Sequence, residues 1–314
     1  MGGKRVLVTG AGGFIGRHSV PPLGARGFAV HAAISPRAGA HAPEELGGAV
    51  LHRVDLLDAA AGAALIRSIR PEYWLHFAWI AKPGVYWRSE QNYRWLDAGR
   101  AMLAAFVAAG GERAVIAGTC AEYAVSGSRP CVERRTALAD EAGAEVTPYV
   151  ACKLALQREL QAVGLRTGLS SAWGRIFLQF GPAEYPERLV PSVIRRLLAN
   201  QEAPCSHGRQ VRGFLHAADV GGAFAALLAS GVEGPVNVGS DRCITIAGLV
   251  DMIAAQIGRA DLVRRGANPS SAGEPAVLVA DIRRLRDELG FRPRFDLESG
   301  LADTIAWWRK ELSC

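Results

Sequence analysis

Tyr149 and Lys153 stand four residues apart in Tyr149-Val150-Ala151-Cys152-Lys153. On a helix, that spacing puts both side chains on one face, one turn apart. An ammonium beside a phenol favours the phenolate and draws its pKa down from about 10, so the pair can serve as acid and base near neutrality. With 6 tyrosines and 4 lysines in 314 residues, chance supplies roughly 0.08 such spacings, so the motif is informative. Near the other end, Thr9-Gly10-Ala11-Gly12-Gly13-Phe14-Ile15-Gly16 directly follows an apolar run. Glycines at 10, 13 and 16 permit a tight turn, close backbone approach to a diphosphate, and close packing of a following helix. That helix would offer free N–H groups to the phosphates. The spacing is G-x-x-G-x-x-G, a variant of the generic dinucleotide fingerprint. The two motifs together predict dinucleotide-dependent hydride and proton transfer.

The end of the second strand selects the cofactor. An acidic residue there would bond the adenosine ribose hydroxyls and favour NAD(H). The run Ile34-Ser35-Pro36-Arg37 has none, and the next carboxylate is Glu44. A hydroxyl and a guanidinium suit a 2′-phosphate, so Ser35 and Arg37 favour NADP(H) over NAD(H).

Short β-branched runs alternate with alanine-rich helical stretches. Strands are expected at 5–8, 28–34, 50–54, 73–77, 114–117 and 169–173, with helices such as 95–109 and 149–163 between them. The expected fold is α/β, a doubly wound parallel (Rossmann) sheet with a second, smaller, mostly helical substrate lobe. After Gly174 the alternation loosens, and prolines 182, 186, 191 and 204 punctuate a loop-rich region with one helix near 189–200. The dinucleotide-binding domain is therefore assigned to 1–174 plus 211–239. The second lobe takes 175–210 plus 240–314, mostly helix towards its end.

Composition narrows the function classes. The net charge of +6 comes from 36 Lys+Arg against 30 Asp+Glu, but the arginines are scattered singly and in pairs. No stripe for nucleic acid and no block for a membrane surface stands out. The longest uncharged apolar stretch, 220–232, is shorter than a membrane span. The run after Met1-Gly2 is too short for a signal peptide, and Val6 occupies the position where myristoylation needs Ser or Thr. Six cysteines show no C-x-x-C pair and no paired His/Cys spacing, so no metal site is expected and reduced thiols in a cytoplasmic protein are.

With these motifs in place, the sequence resembles the extended short-chain dehydrogenase/reductase family, the nucleotide-sugar epimerase, dehydratase and reductase group, over nearly its whole length. Val54-Asp55-Leu56 resembles the family's adenine-binding aspartate turn, and His76-Phe77-Ala78-Trp79 the segment along the nicotinamide. Asn92 resembles the asparagine opening the next helix. Gly118-Thr119-Cys120-Ala121-Glu122-Tyr123 occupies the strand end that gives Thr119 the catalytic hydroxyl role beside Tyr149 and Lys153. Pro186-Glu187-Arg188-Leu189-Val190-Pro191, Arg212-Gly213-Phe214-Leu215-His216 and Val236-Asn237-Val238-Gly239 resemble segments of the nucleotide-sugar lobe. The resemblance implies that Arg188, Leu189, Arg212 and Asn237 address the nucleotide, that Thr119, Cys120 and Leu178 face the sugar, and that the protein is a homodimer.

Departures from the family decide the reaction expected. The 4,6-dehydratases carry Asp-Glu after the catalytic Thr; here those positions are Cys120 and Ala121, and Glu122 is displaced by one residue. Were that segment still a strand, Glu122 would point the other way. Leu178 replaces a substrate-binding asparagine of many members. The expected activity is NADPH-dependent C4-ketoreduction of a nucleoside-diphosphate 4-keto-6-deoxy sugar, with a nucleotide-sugar 4-epimerase as the alternative. A non-catalytic cofactor sensor on this fold would typically lose the Tyr or the Lys, and both remain.

Overall fold

Three consecutive apolar residues and a threonine, all fully buried, make β1 (Arg5–Thr9) a strand covered on both faces. Its side chains alternate between two cores: Val6 and Val8 pack with Val20, Leu23, Val220 and Phe224. Leu7 packs on the opposite face with Ile66, Met102, Phe106 and Leu156. The computed structural model describes residues 3–37, 44–125, 128–143, 146–269 and 273–313. The amino-terminal Met1-Gly2 reading and the sixth thiol, Cys314, lie outside them.

Around β1 the chain builds α1 (Val20–Ala25), β2 (Ala29–Ile34), β3 (Val50–Arg53), α2 (Ala59–Ile69), β4 (Tyr73–His76), α3 (Gln91–Ala108), β5 (Arg113–Thr119), α4 (Pro148–Thr167) and β6 (Ser170–Ile176). Then follow β7 (Leu178–Phe180), α5 (Leu189–Leu198), β8 (Ala203–Cys205), β9 (Val211–His216), α6 (Ala217–Leu228) and β10 (Gly234–Val238). The chain closes with β11 (Cys243–Thr245), α7 (Ile246–Ile257), β12 (Val263–Arg265), β13 (Val277–Leu278) and α8 (Leu297–Ser313). The large sheet is seven-stranded and parallel, in the order β10-β6-β5-β4-β1-β2-β3. Strand order reverses between β1 and β4, which opens a crevice at their carboxyl ends.

Local sequence explains the pieces that hold the site. Asp58 caps α2 by accepting from the N–H groups of Ala60 and Ala61. Thr147 caps α4, Pro148 fills its first turn, and Gly168 ends it in the left-handed region at φ +75°. Tyr149 therefore sits in the first turn of α4.

Two features differ from the sequence expectation. The helix after the glycine turn is a 3₁₀ turn, Gly16–Ser19, leading into the short α1. Pro21 and Pro22 have no N–H to give to the carbonyls of residues 17 and 18, so the α-helical ladder starts late. Of the 211–239 stretch expected to return to the large sheet, β10 does so, beside β6. β9 instead forms the spine of a second, four-stranded sheet with β7, β11 and β13. The region after 240 also contributes three short strands, which pair with β9 or β8 through backbone ladders that composition does not reveal. Helices α5, α7 and α8 enclose a separate apolar core with Phe180, Ile194, Leu249, Leu301 and Trp308.

Candidate active site

The glycine turn closes onto the crevice with no room for side chains. A Cβ on Gly10, whose φ is +77°, would lie 2.6 Å from the backbone nitrogen of Ala78; one on Gly16 would lie 2.2 Å from the Gly10 carbonyl. Only glycine permits that approach. The turn faces a cavity of about 960 Å³ running between the large sheet and the second lobe. Gly10, Gly13, Phe14, Ile15 and Gly16 line one end, and Ser35, Arg37, Asp55 and Leu56 line it beyond the ends of β2 and β3. Phe77, Ala78 and Trp79 form the wall next to Gly10. A long groove walled by bare backbone at a glycine turn fits a dinucleotide.

Thr119, Tyr149 and Lys153 all line the cavity. Tyr149 is held by ring contacts: Tyr86 and Trp87 stand edge-on to it at centroid distances of 4.8 and 5.5 Å. Burial pushes its phenol above the usual range, against the opposing hydrogen bond with Thr119. The expectation that Lys153 lowers the Tyr149 pKa is therefore corrected. The Lys153 ammonium donates to the Ala117 carbonyl at 2.8 Å and lies 3.9 Å from the Trp79 ring centroid. Burial pushes it down to about 7, opposed by the Glu122 charge. Tyr149 is thus a held proton, and Lys153 is the group poised near neutrality. Thr119 Oγ1 accepts from the Ala121 N–H at 3.2 Å, and its hydroxyl also hydrogen-bonds Tyr149.

Residues 120–122 turn into a 3₁₀ helix rather than continuing β5, and Glu122 swings under the sheet. It is fully buried, and its carboxylate takes the Arg175 Nε–H at 2.7 Å, the Trp173 indole N–H at 3.0 Å and the Thr119 N–H at 2.9 Å. Arg175 also donates to the Tyr123 hydroxyl at 3.0 Å, which in turn donates to the Asn237 side-chain oxygen at 2.7 Å. Asn237 gives its amide hydrogens to the carbonyls of Cys131 and Asp281. The reading of Asn237 as a nucleotide contact is corrected on this ground: its side-chain groups are spent inside the fold, and it does not line the cavity. Cys120 does line it, with its thiol pushed up to about 12 by burial.

The second lobe supplies the far wall with Leu178, Arg188, Leu189 and Arg212. Arg212 is anchored by Glu274 at 2.6 Å. The Arg188 guanidinium lies 5.6 Å from the Tyr86 ring centroid. Sequence reasoning missed Tyr86, Trp87, Glu184 and Glu274, all on this cavity. The adjacent aromatics Tyr86-Trp87 were a visible cue, but the two glutamates carry no local pattern.

A family model described as the NAD dependent epimerase/dehydratase family matches residues 6–239. The chain belongs to that family. Among curated members it is 29% identical to a dTDP-glucose 4,6-dehydratase of Actinoplanes sp. over 53% of this chain and 52% of that one. It is 25% identical to the UDP-glucose 4-epimerase of Rhizobium meliloti over 98% of each. The chain spans about half the length of the curated dehydratases it matches. Among solved structures, the Thermus thermophilus UDP-glucose 4-epimerase in complex with NAD superposes with a TM-score of 0.81 at 27% identity, over 97% of this chain and 99% of that one. This family member places Thr119, Tyr149 and Lys153 around one cavity, with the glycine turn at its end.

Proposed function

We propose that the protein is an NADPH-dependent ketoreductase acting at C4 of a nucleoside-diphosphate 4-keto-6-deoxy sugar. The fate of Glu122 carries this reading. It is the one carboxylate of the turn after Thr119, and its buried ion pair with Arg175 takes it out of reach of a ligand. Removal of water from C5–C6 then lacks an acid/base pair in this turn, whereas Thr119, Tyr149 and Lys153 suffice for chemistry at one carbon.

A nicotinamide dinucleotide, when bound, supplies the hydride. Gly10, Gly13, Phe14, Ile15 and Gly16 would hold its diphosphate, Ser35 and Arg37 its 2′-phosphate, and Asp55 and Leu56 its adenine. Phe77, Ala78 and Trp79 would flank the nicotinamide, with Lys153 binding the adjoining ribose. Tyr149, kept protonated by burial, gives its proton to the carbonyl oxygen, and the Thr119 hydroxyl hydrogen-bonds the same oxygen. Arg188 and Arg212 would bind the diphosphate of the sugar nucleotide, while Leu178, Leu189 and Cys120 shape the walls.

The test supplies NADPH with dTDP-4-keto-6-deoxyglucose and follows the reduced-nicotinamide absorbance. Stoichiometric oxidation, with a C4 alcohol seen by NMR, is expected. The full-length likeness to UDP-glucose 4-epimerases favours a second reading, 4-epimerisation. Conversion of UDP-glucose to its C4 epimer without net cofactor change would replace the reductase with it. A homodimer, read by sedimentation, belongs to the same proposal. So does a cytoplasmic setting, supported by the five thiols free among the described residues, Cys120, Cys131, Cys152, Cys205 and Cys243. Among the described residues no helix is long and apolar enough to cross a membrane.

A further inference from the structure

Glu184 lies in the connection between β7 and α5, flanked by the half-exposed Ala183 and by Tyr185, which is 42% exposed. Its own side chain is turned inward. It is 7% exposed, it lines the cavity, and its Oε2 has no hydrogen-bond partner among the described residues. A buried polar atom left without a partner is a standing cost to the fold. The backbone adds to it: Ala183 holds φ at +62°, in the left-handed region that non-glycine residues rarely occupy. Two unfavourable features in consecutive residues coincide where this carboxyl faces the cavity.

Position along the wall says which part of a ligand it meets. Tyr149 touches Tyr86, Tyr86 lies under the Arg188 guanidinium, and Arg188 is the charge acting on Glu184. Glu184 therefore stands on the second-lobe wall beside Arg188, which Tyr86 links to Tyr149. We propose that Glu184 selects the substrate by hydrogen-bonding a hydroxyl group of its sugar. This rests on the nucleotide-sugar reading of the cavity. Burial pushes the carboxyl up to about 8 against the opposing Arg188 charge, so at neutral pH it is both a donor and an acceptor, as a hydroxyl partner requires. A site built to bond a hydroxyl discriminates through the unpaired group left when that hydroxyl is missing.

Calorimetry tests this with UDP, UDP-glucose, dTDP and dTDP-glucose as probes, on wild type, Glu184→Gln and Glu184→Leu. With Leu, the affinity for the sugar nucleotide is expected to fall roughly 10-fold, the loss of one buried hydrogen bond, and that for the matching nucleoside diphosphate less than 2-fold. Gln, which keeps a donor and an acceptor, should recover most of the loss. Because Glu184 Oε2 has no partner among the described residues, Leu should raise the Tm. Equal losses for both ligands, no loss for either, or a fall in Tm with Leu would overturn the proposal. Failure of wild type to bind any of the four probes would overturn the nucleotide-sugar reading itself, and this proposal with it.

Discussion

Glu122→Gln separates a structural carboxylate from a catalytic one. The substitution keeps the size and one acceptor oxygen but removes the charge facing Arg175, which is 1% exposed. Burial works against the Arg175 charge, and Glu122 and Tyr123 outweigh it. Leaving a buried ion without its partner costs about 3–5 kcal/mol. The amide NH₂ must also face either the Arg175 Nε–H or the Thr119 N–H, two donors that now bond opposite oxygens of Glu122. Unfolding entropy of about 2.1 cal/mol/K per residue, over 314 residues, makes 1 kcal/mol worth roughly 1.5 °C. The Tm should therefore fall by about 5–8 °C. Thermal unfolding followed by circular dichroism reads the shift, alongside NADPH oxidation at a temperature where both proteins are folded. An unchanged Tm with turnover abolished would refute the structural role and return Glu122 to the chemistry as a displaced base.

Tyr149→Phe keeps the ring packed against Tyr86 and Trp87 and removes the proton, so turnover should fall by roughly 10²-fold or more with NADPH affinity intact; near-normal turnover would exclude Tyr149 as the acid. Arg37→Ala should weaken NADPH by about 1.5–3 kcal/mol and leave NADH almost unchanged, and fluorescence titration with both cofactors distinguishes this from an equal loss. Lys153 predicts a pH effect in the cofactor-free protein. Its folded pKa of about 7 lies below the unfolded value, so the unfolded chain holds the extra proton between about 7 and 10.4. The cost of charging it is fully present below pH 7 and fades as pH rises through that window. Lys153→Met should therefore gain more stability at pH 6.5 than at pH 9.5, by on the order of 2–3 kcal/mol; equal effects at the two pH values would show that Lys153 does not titrate in this range.

The sequence by itself determined the features that depend on neighbours along the chain. The glycine turn is legible because backbone clearance at Gly10 and Gly16 depends on residue type alone. The Tyr149/Lys153 pairing follows from helical periodicity, and the parallel sheet from apolar runs too hydrophobic to face water. Tertiary structure decided which polar groups reach the cavity. Asn237 looked as available as Thr119, and Glu122 read only as displaced by one residue. Yet Asn237 bonds Tyr123 across 114 positions, and Glu122 bonds Arg175 across 53. The Tyr149 proton was misjudged for the same reason: the spacing placed Lys153 on the same helix face, but burial raised the phenol and the Ala117 carbonyl and Trp79 ring claimed the ammonium. Glu184 left no local sign at all. Periodicity fixes backbone path and face, whereas the partner and the charge of a buried polar group are set by residues that only the folded chain brings within 3 Å.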